Sequence, residues 1–139
     1  MACIEPNEEW TIETVTDARP NRPSTTQILV FCLSIDQGMI TGEVADGVTG
    51  QVLSLVKGTR ESLGRLGLDE ASSLMTLNFS NGPARVMMSG VTFLRNFRGR
   101  FTSFVDAQVA AMGSVSEPGT ASPFVPSDGD TGTGTGSQT

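Results

Sequence analysis

Two stretches of the chain carry the apolar and polar pattern of β-hairpins. Residues 28–35 are almost wholly apolar, turn at Asp36-Gln37-Gly38 and continue into 39–44. A strand apolar on both sides predicts a central position, and the glycine suits a tight turn. Residues 74–79 alternate, with Met75, Leu77 and Phe79 on one side, then meet Asn81-Gly82, a strong hairpin signal, and continue through 84–88. Residues 91–97 predict a further strand entered by a turn at Ser89-Gly90, and the β-prone residues 10–16 predict an edge strand.

Between the hairpins, Val48, Val52, Leu55, Val56, Leu63 and Leu66 recur at spacings of three and four, with a gap at Thr59. That spacing predicts an amphipathic helix over residues 47–66, with Asp46 as its N-cap and Gly67 just past its end. The interior glycines 50, 58 and 64 each weaken it by about 1 kcal/mol. Phe101, Phe104, Val105, Val109 and Met112 fit a C-terminal helix, although the residues up to Val105 also fit a strand. The expected fold class is α+β: a small, mostly antiparallel sheet of about five strands packed by one long central helix and a C-terminal helix. The alternative is a β-sandwich or barrel with one helix. The domain reading is an N-terminal arm (1–27) holding the edge strand, a single domain (28–112), and a disordered tail (113–139) rich in Gly, Ser, Thr and Pro.

On that helix Gly50, Ser54, Gly58 and Ser62 fall four apart and share a stripe of small side chains. The stripe predicts a close contact with another helix, as across a dimer axis, or else a solvated face that happens to be small. Replacing Gly58 with Leu is then expected to weaken self-association.

The net charge of −6 argues against generic nucleic-acid binding, and the single lysine, Lys57, against a polybasic membrane anchor. No apolar run is long enough for a membrane-spanning helix. Arg95, Arg98 and Arg100 form an acid-free run suited to phosphate or an acidic partner, and equally to a solvated strand end or the molecule's own acidic arm. Cys3 and Cys32 show no metal or disulfide-framework spacing, and Cys32 reads as a small buried hydrophobe. Histidine and tyrosine are absent, which removes the commonest general base and most zinc sites, and no phosphate-cradling glycine motif follows a strand. The adjacent acids Asp69 and Glu70 read as solvated loop residues. The expectation is a protein without catalytic activity, cofactor or metal, and cytoplasmic or else packaged in a virion or other large assembly.

The stretch from Leu29 to Ile40 through Asp36-Gln37-Gly38, followed by Leu63-Gly64-Arg65-Leu66-Gly67-Leu68 and by 73–82, resembles the roadblock family of dynein-associated light chains. The likeness covers about residues 28–98, with Phe93-Leu94 where the last strand would lie. The family normally opens with a helix, whereas residues 8–26 hold two prolines and a β-prone run. The resemblance implies a non-catalytic, homodimeric scaffold that docks a partner such as a small GTPase. The alternative is a structural subunit of a large assembly, such as a phage tail tube, a capsid decoration protein or a filament, its polar arms reaching neighbouring copies.

Overall fold

The computed structural model describes residues 3–65 and 71–118. Among them lie eight strands and no helix: β1 (Glu8–Thr16), β2 (Thr26–Asp36), β3 (Met39–Asp46), β4 (Val52–Arg65), β5 (Ala71–Asn81), β6 (Ala84–Phe93), β7 (Asn96–Val105) and β8 (Gln108–Ser116). Each pairs antiparallel with the next, and β8 returns to β1, so the sheet closes into a barrel. The barrel therefore runs from Glu8 to Ser116, across the expected boundaries at 27–28 and 112–113.

Alternation along each strand decides what fills the interior. Trp10 and Ile12 of β1, Leu29, Phe31 and Leu33 of β2, Met75, Leu77 and Phe79 of β5, and Phe97 and Phe101 of β7 point inward and are buried. Each large apolar side chain so removed from water contributes roughly 1.5–3 kcal/mol. Ring edges interlock at Phe31–Phe79 and Trp10–Phe97, with centroids 5.3 Å and 6.2 Å apart. Outward positions carry Glu43, Lys57, Arg85, Arg98 and Arg100. That arrangement is the reverse of a barrel that turns its apolar side to lipid.

The α+β expectation, with its helix over 47–66, is overturned. Residues 52–65 are the longest strand, paired with β3 on one side and β5 on the other. The residues that suggested a helical stripe do not share a buried face: Val56 is buried, but Leu55, Leu63 and Val48 are 72%, 50% and 83% exposed. The β-branched residues, poor in helices, suit this strand, and its interior glycine is required by close backbone approach. Asp46 does cap backbone amides, but in the β3–β4 turn, where its Oδ1 accepts from Val48 N (2.8 Å) and Thr49 N (2.9 Å). Gly67, Asp69 and Glu70 lie outside the described residues.

The C-terminal helix is likewise replaced, by β7 and β8 joined at Asp106-Ala107, both with positive φ as a type I′ hairpin turn requires. Ser89-Gly90 is not a turn; β6 runs through it to Phe93. Both sequence-read hairpins are present, as β2–β3 and β5–β6. Pro83 sits inside the second turn and removes no ladder donor. The roadblock likeness implied a helix between the hairpins, and the closed, helix-free barrel contradicts that architecture.

Gly58 explains how the sheet bends. It faces inward, and a Cβ there would lie 1.8 Å from the Thr76 carbonyl oxygen of the neighbouring strand. Gly99 stands the same way against the Ser89 carbonyl, at 2.0 Å. Such inward glycines let adjacent strands coil tightly enough to close the barrel. The small stripe thus serves packing within the chain. Gly50 is in the β3–β4 turn with φ +79, Gly58 is enclosed, and Ser54 Oγ accepts from Ser80 N at 2.8 Å.

Cys3 and Cys32 are joined in a disulfide, with Cα atoms 5.4 Å apart. Cys32 lies on the outer side of β2, not among the core residues, so its expected role as a buried hydrophobe is replaced by a covalent tether for the N-terminal arm.

Two predictions follow from this frame. Gly58→Leu should destabilise the fold by at least about 2–3 kcal/mol in urea titrations, since backbone must move to admit the side chain; a neutral variant contradicts the packing. Cys3→Ala with Cys32→Ala opens a loop with a sequence separation of 29 and should cost about 3–4 kcal/mol on the chain-entropy estimate, measured against the oxidised protein.

Candidate functional site

The two ends of the barrel differ in chemistry. At one end, where β1 begins and β8 finishes, Arg60 of β4 reaches across the opening. Its Nη1 donates to both oxygens of Glu8, at 2.9 and 3.1 Å, and its Nε donates to Ser73 Oγ at 3.1 Å. Trp10 Nε1 donates to the same carboxylate at 3.0 Å, and the Ser73 hydroxyl is hydrogen-bonded to that of Thr92. Glu117 lies in the same region, where burial pushes its carboxyl above the ordinary value and the Arg95 charge pulls it back. The donors and acceptors here are largely matched to one another, and the tethered arm borders the opening through Cys3, Glu5 and Asn7. This end is a polar plug only around Glu8 and Arg60, with open recesses of about 410 Å³ and 360 Å³ beside it.

The opposite end holds a half-open cavity of about 150 Å³ at the barrel mouth. Its floor is apolar, made by Leu29, Phe79, Val86 and Phe101, all buried. Its walls carry neutral polar side chains: Thr14 and Thr16 from β1, Thr25 from the β1–β2 loop, Gln27 from β2, Asn81 from β5 and Ser103 from β7. Each of those strands reaches this end with its inward position occupied by a hydroxyl or an amide in place of an aliphatic group.

Hydrogen bonds hold the amides in place. Asn81 Nδ2 donates to Gln27 Oε1 at 2.9 Å, and Gln27 Nε2 donates to Asp46 Oδ2 at 3.2 Å. Thr14 Oγ1 donates to the Gln27 carbonyl at 3.2 Å, and Ser103 Oγ donates to the Ala111 carbonyl at 3.5 Å. The β1–β2 loop is pinned beside the cavity. Ser24 Oγ donates to the Thr16 carbonyl, Thr25 Oγ1 to Thr16 Oγ1, and Arg100 Nη2 to Asp17 Oδ2 at 2.6 Å. Hydroxyl lone pairs of Thr14 and Ser103 remain as acceptors, so the cavity offers oriented polar groups over an apolar floor. Such a set can bind and orient a molecule; it holds no general base within the lining, and no cluster of three metal-ligating side chains occurs among the described residues.

The residues expected to act fall elsewhere. Gly50, Ser54 and Gly58 serve the turn and the packing of β4, as above, and Ser62 is exposed, its Oγ accepting from Gly64 N at 3.3 Å. Arg98 and Arg100 lie on the outer side of β7, and Arg95 in the β6–β7 turn. Arg100 is met by Asp17 of the molecule's own N-terminal half, one of the outcomes the sequence leaves open. The three do not converge on one point. Sequence reasoning missed Thr14, Gln27, Asn81 and Ser103. The available signal was a polar residue at the end of an inward series: Trp10-x-Ile12-x-Thr14, and Met75-x-Leu77-x-Phe79-x-Asn81.

Comparison with family models, with curated proteins and with solved structures finds no match.

Asp46 closes the hydrogen-bond chain behind Gln27. The Thr49 and Val48 amides, then Gln27, hold its carboxyl below the ordinary value. A depressed folded pKa means that its stabilisation is full above the unfolded value and is lost as pH falls through the lower folded one. Wild type should therefore exceed Asp46→Ala in stability at neutral pH, and the gap should shrink below about pH 4; a pH-independent gap in urea titrations contradicts the assignment.

Proposed function

We propose that this chain is a non-catalytic ligand-binding barrel that takes a small neutral molecule into the cavity walled by Thr14, Gln27, Asn81 and Ser103. The observation that carries the reading is the pairing of an apolar floor with positioned hydroxyls and amides at one mouth of the barrel. Barrel mouths are a recurrent place for such sites, in which a few fixed polar groups orient a mostly apolar ligand. The lining contains no formal charge, so a charged ligand would lose its hydration without a compensating partner. A volume of 150 Å³ is below the roughly 300–1,000 Å³ of drug-sized sites and suits a molecule of about the size of benzene. A ring bearing one amide or hydroxyl group satisfies both the floor and the walls.

The tether between Cys3 and Cys32 supports an oxidising setting for the protein, because such bonds persist poorly where thiols are kept reduced.

Saturation-transfer NMR with benzamide and benzyl alcohol tests the reading. Signal transfer is expected with the wild-type chain and not with Ala84→Trp, which fills the cavity from its rim while leaving the core untouched. Absence of transfer to wild type, or equal transfer to a folded Ala84→Trp, contradicts it.

A further inference from the structure

The outer surface of the barrel carries a further concavity, separated from the interior cavity by the wall at Phe79 and Val86, which border both. It is an open groove of about 610 Å³ running over β4 to β7. Asn78 and Ser80 form its low centre on β5. Leu55 and Met87 rise on either side, 72% and 49% exposed, and Phe104 adds an aromatic wall. Lys57 and Arg85 stand at its margins, and no acidic residue is in the lining. Acids flank it at two points, Glu43 across from Leu55 on β3 and Asp106 in the β7–β8 turn beside Ala107. In a chain of net charge −6 this is an apolar strip edged by two of its nine cations, one of them the sole lysine.

Residues 122–130 of the same sequence, Ser-Pro-Phe-Val-Pro-Ser-Asp-Gly-Asp, are complementary to it. Phe124 and Val125 match the apolar strip, and Asp128 and Asp130 match the two cations. Prolines on both sides of the Phe-Val pair lower the entropy lost when a segment docks in extended form.

The reach of the chain decides between its own groove and that of a neighbour. The described residues end at Pro118, beyond β8 at the plugged end. The centre of the groove is level with the pairing of Phe104 and Val109. That is about 23 Å down β8 from Ser116, and two or three strands, about 10–14 Å, around the barrel. Phe124 is six positions beyond Pro118, at most about 20 Å even fully extended. Six residues of chain do not span the distance to the molecule's own groove, a limit that does not apply to the groove of another copy.

We propose that residues 122–130 of one copy dock in the groove between Leu55 and Met87 of a second copy, with Asp128 and Asp130 against Lys57 and Arg85. The contact joins different surfaces on the two partners, so it propagates head to tail into rings or filaments and does not stop at a two-fold dimer. The groove uses outward side chains and the cavity inward ones, so neither reading depends on the other, although Phe79 and Val86 border both.

Light scattering of the full-length chain across a concentration series at low salt tests the contact. The mass is expected to rise with concentration and to fall when salt screens the charges. Phe124→Ala and the double variant Lys57→Glu, Arg85→Glu should each remain monomeric, with thermal unfolding confirming that both are folded. In parallel, a fluorescein-labelled peptide of residues 122–130 should bind the full-length Phe124→Ala chain. Its affinity should be lower by about tenfold when Lys57 and Arg85 are also reversed. A wild-type mass that stays monomeric at all concentrations overturns the proposal. So does association that survives both variants, or peptide binding that is indifferent to the charge reversal.

Discussion

Closure of the β1–β8 seam is the interaction on which the molecule depends. Residues 13–16 pair with residues 113–116, the shortest of the eight ladders, and they join segments near opposite ends of the described chain. Asp17 N donating to the Met112 carbonyl and the Arg100–Asp17 ion pair extend the join beyond the ladder. Without it the sheet would have two free edges, and its apolar face would open to water. With it, the inward side chains of the middle of the barrel are buried, and both ends of the cylinder become separate chemical environments. The plug, the cavity and the outer groove are all consequences of that one closure.

The interior is uneven by design of the sequence. Phenylalanines and methionines occupy the middle, where the inward positions of β2, β5 and β7 meet. Glycines occupy inward positions where neighbouring backbones press closest, as Gly58 does against Thr76. Polar residues occupy the ends. One end satisfies its polar groups internally, around Glu8 and Arg60, and is bordered by the disulfide-tethered arm. The other leaves hydroxyl lone pairs unused over an apolar floor. A ligand site needs that second condition, because a fully matched network has nothing left to offer a guest.

Local structure was legible in the sequence wherever one face of a strand was continuously apolar. Leu29, Phe31 and Leu33, or Met75, Leu77 and Phe79, announce their strands, and Asn81-Gly82 announces its turn. Strand β4 was illegible for the converse reason. Its inward positions are Ser54, Val56, Gly58 and Arg60, only one of them a large aliphatic, while Leu55 and Leu63 point outward. The hydrophobic spacing therefore mimicked a helix. The small residues that looked like a contact stripe were small because the barrel wall is tight there. Closure itself is non-local and leaves no local mark, so the barrel stood only as an alternative, and with a helix that the described residues do not contain. The cavity was hidden by the same cause: Thr14, Gln27, Asn81 and Ser103 converge only once the seam has formed. The pairing of Cys3 with Cys32 also depends on the arm folding back along β2, which spacing alone does not reveal.

The most direct test of this account is a set of proton–proton contacts in solution. NMR should show cross-strand Overhauser effects between Thr14 and Val115 and between Val15 and Ser114, as the seam register requires. It should also show cross-strand effects between Gly42 and Val56 and between Val56 and the β5 backbone. Sequential helical contacts between residues three apart within 52–65, with no effect linking β1 to β8, would contradict it.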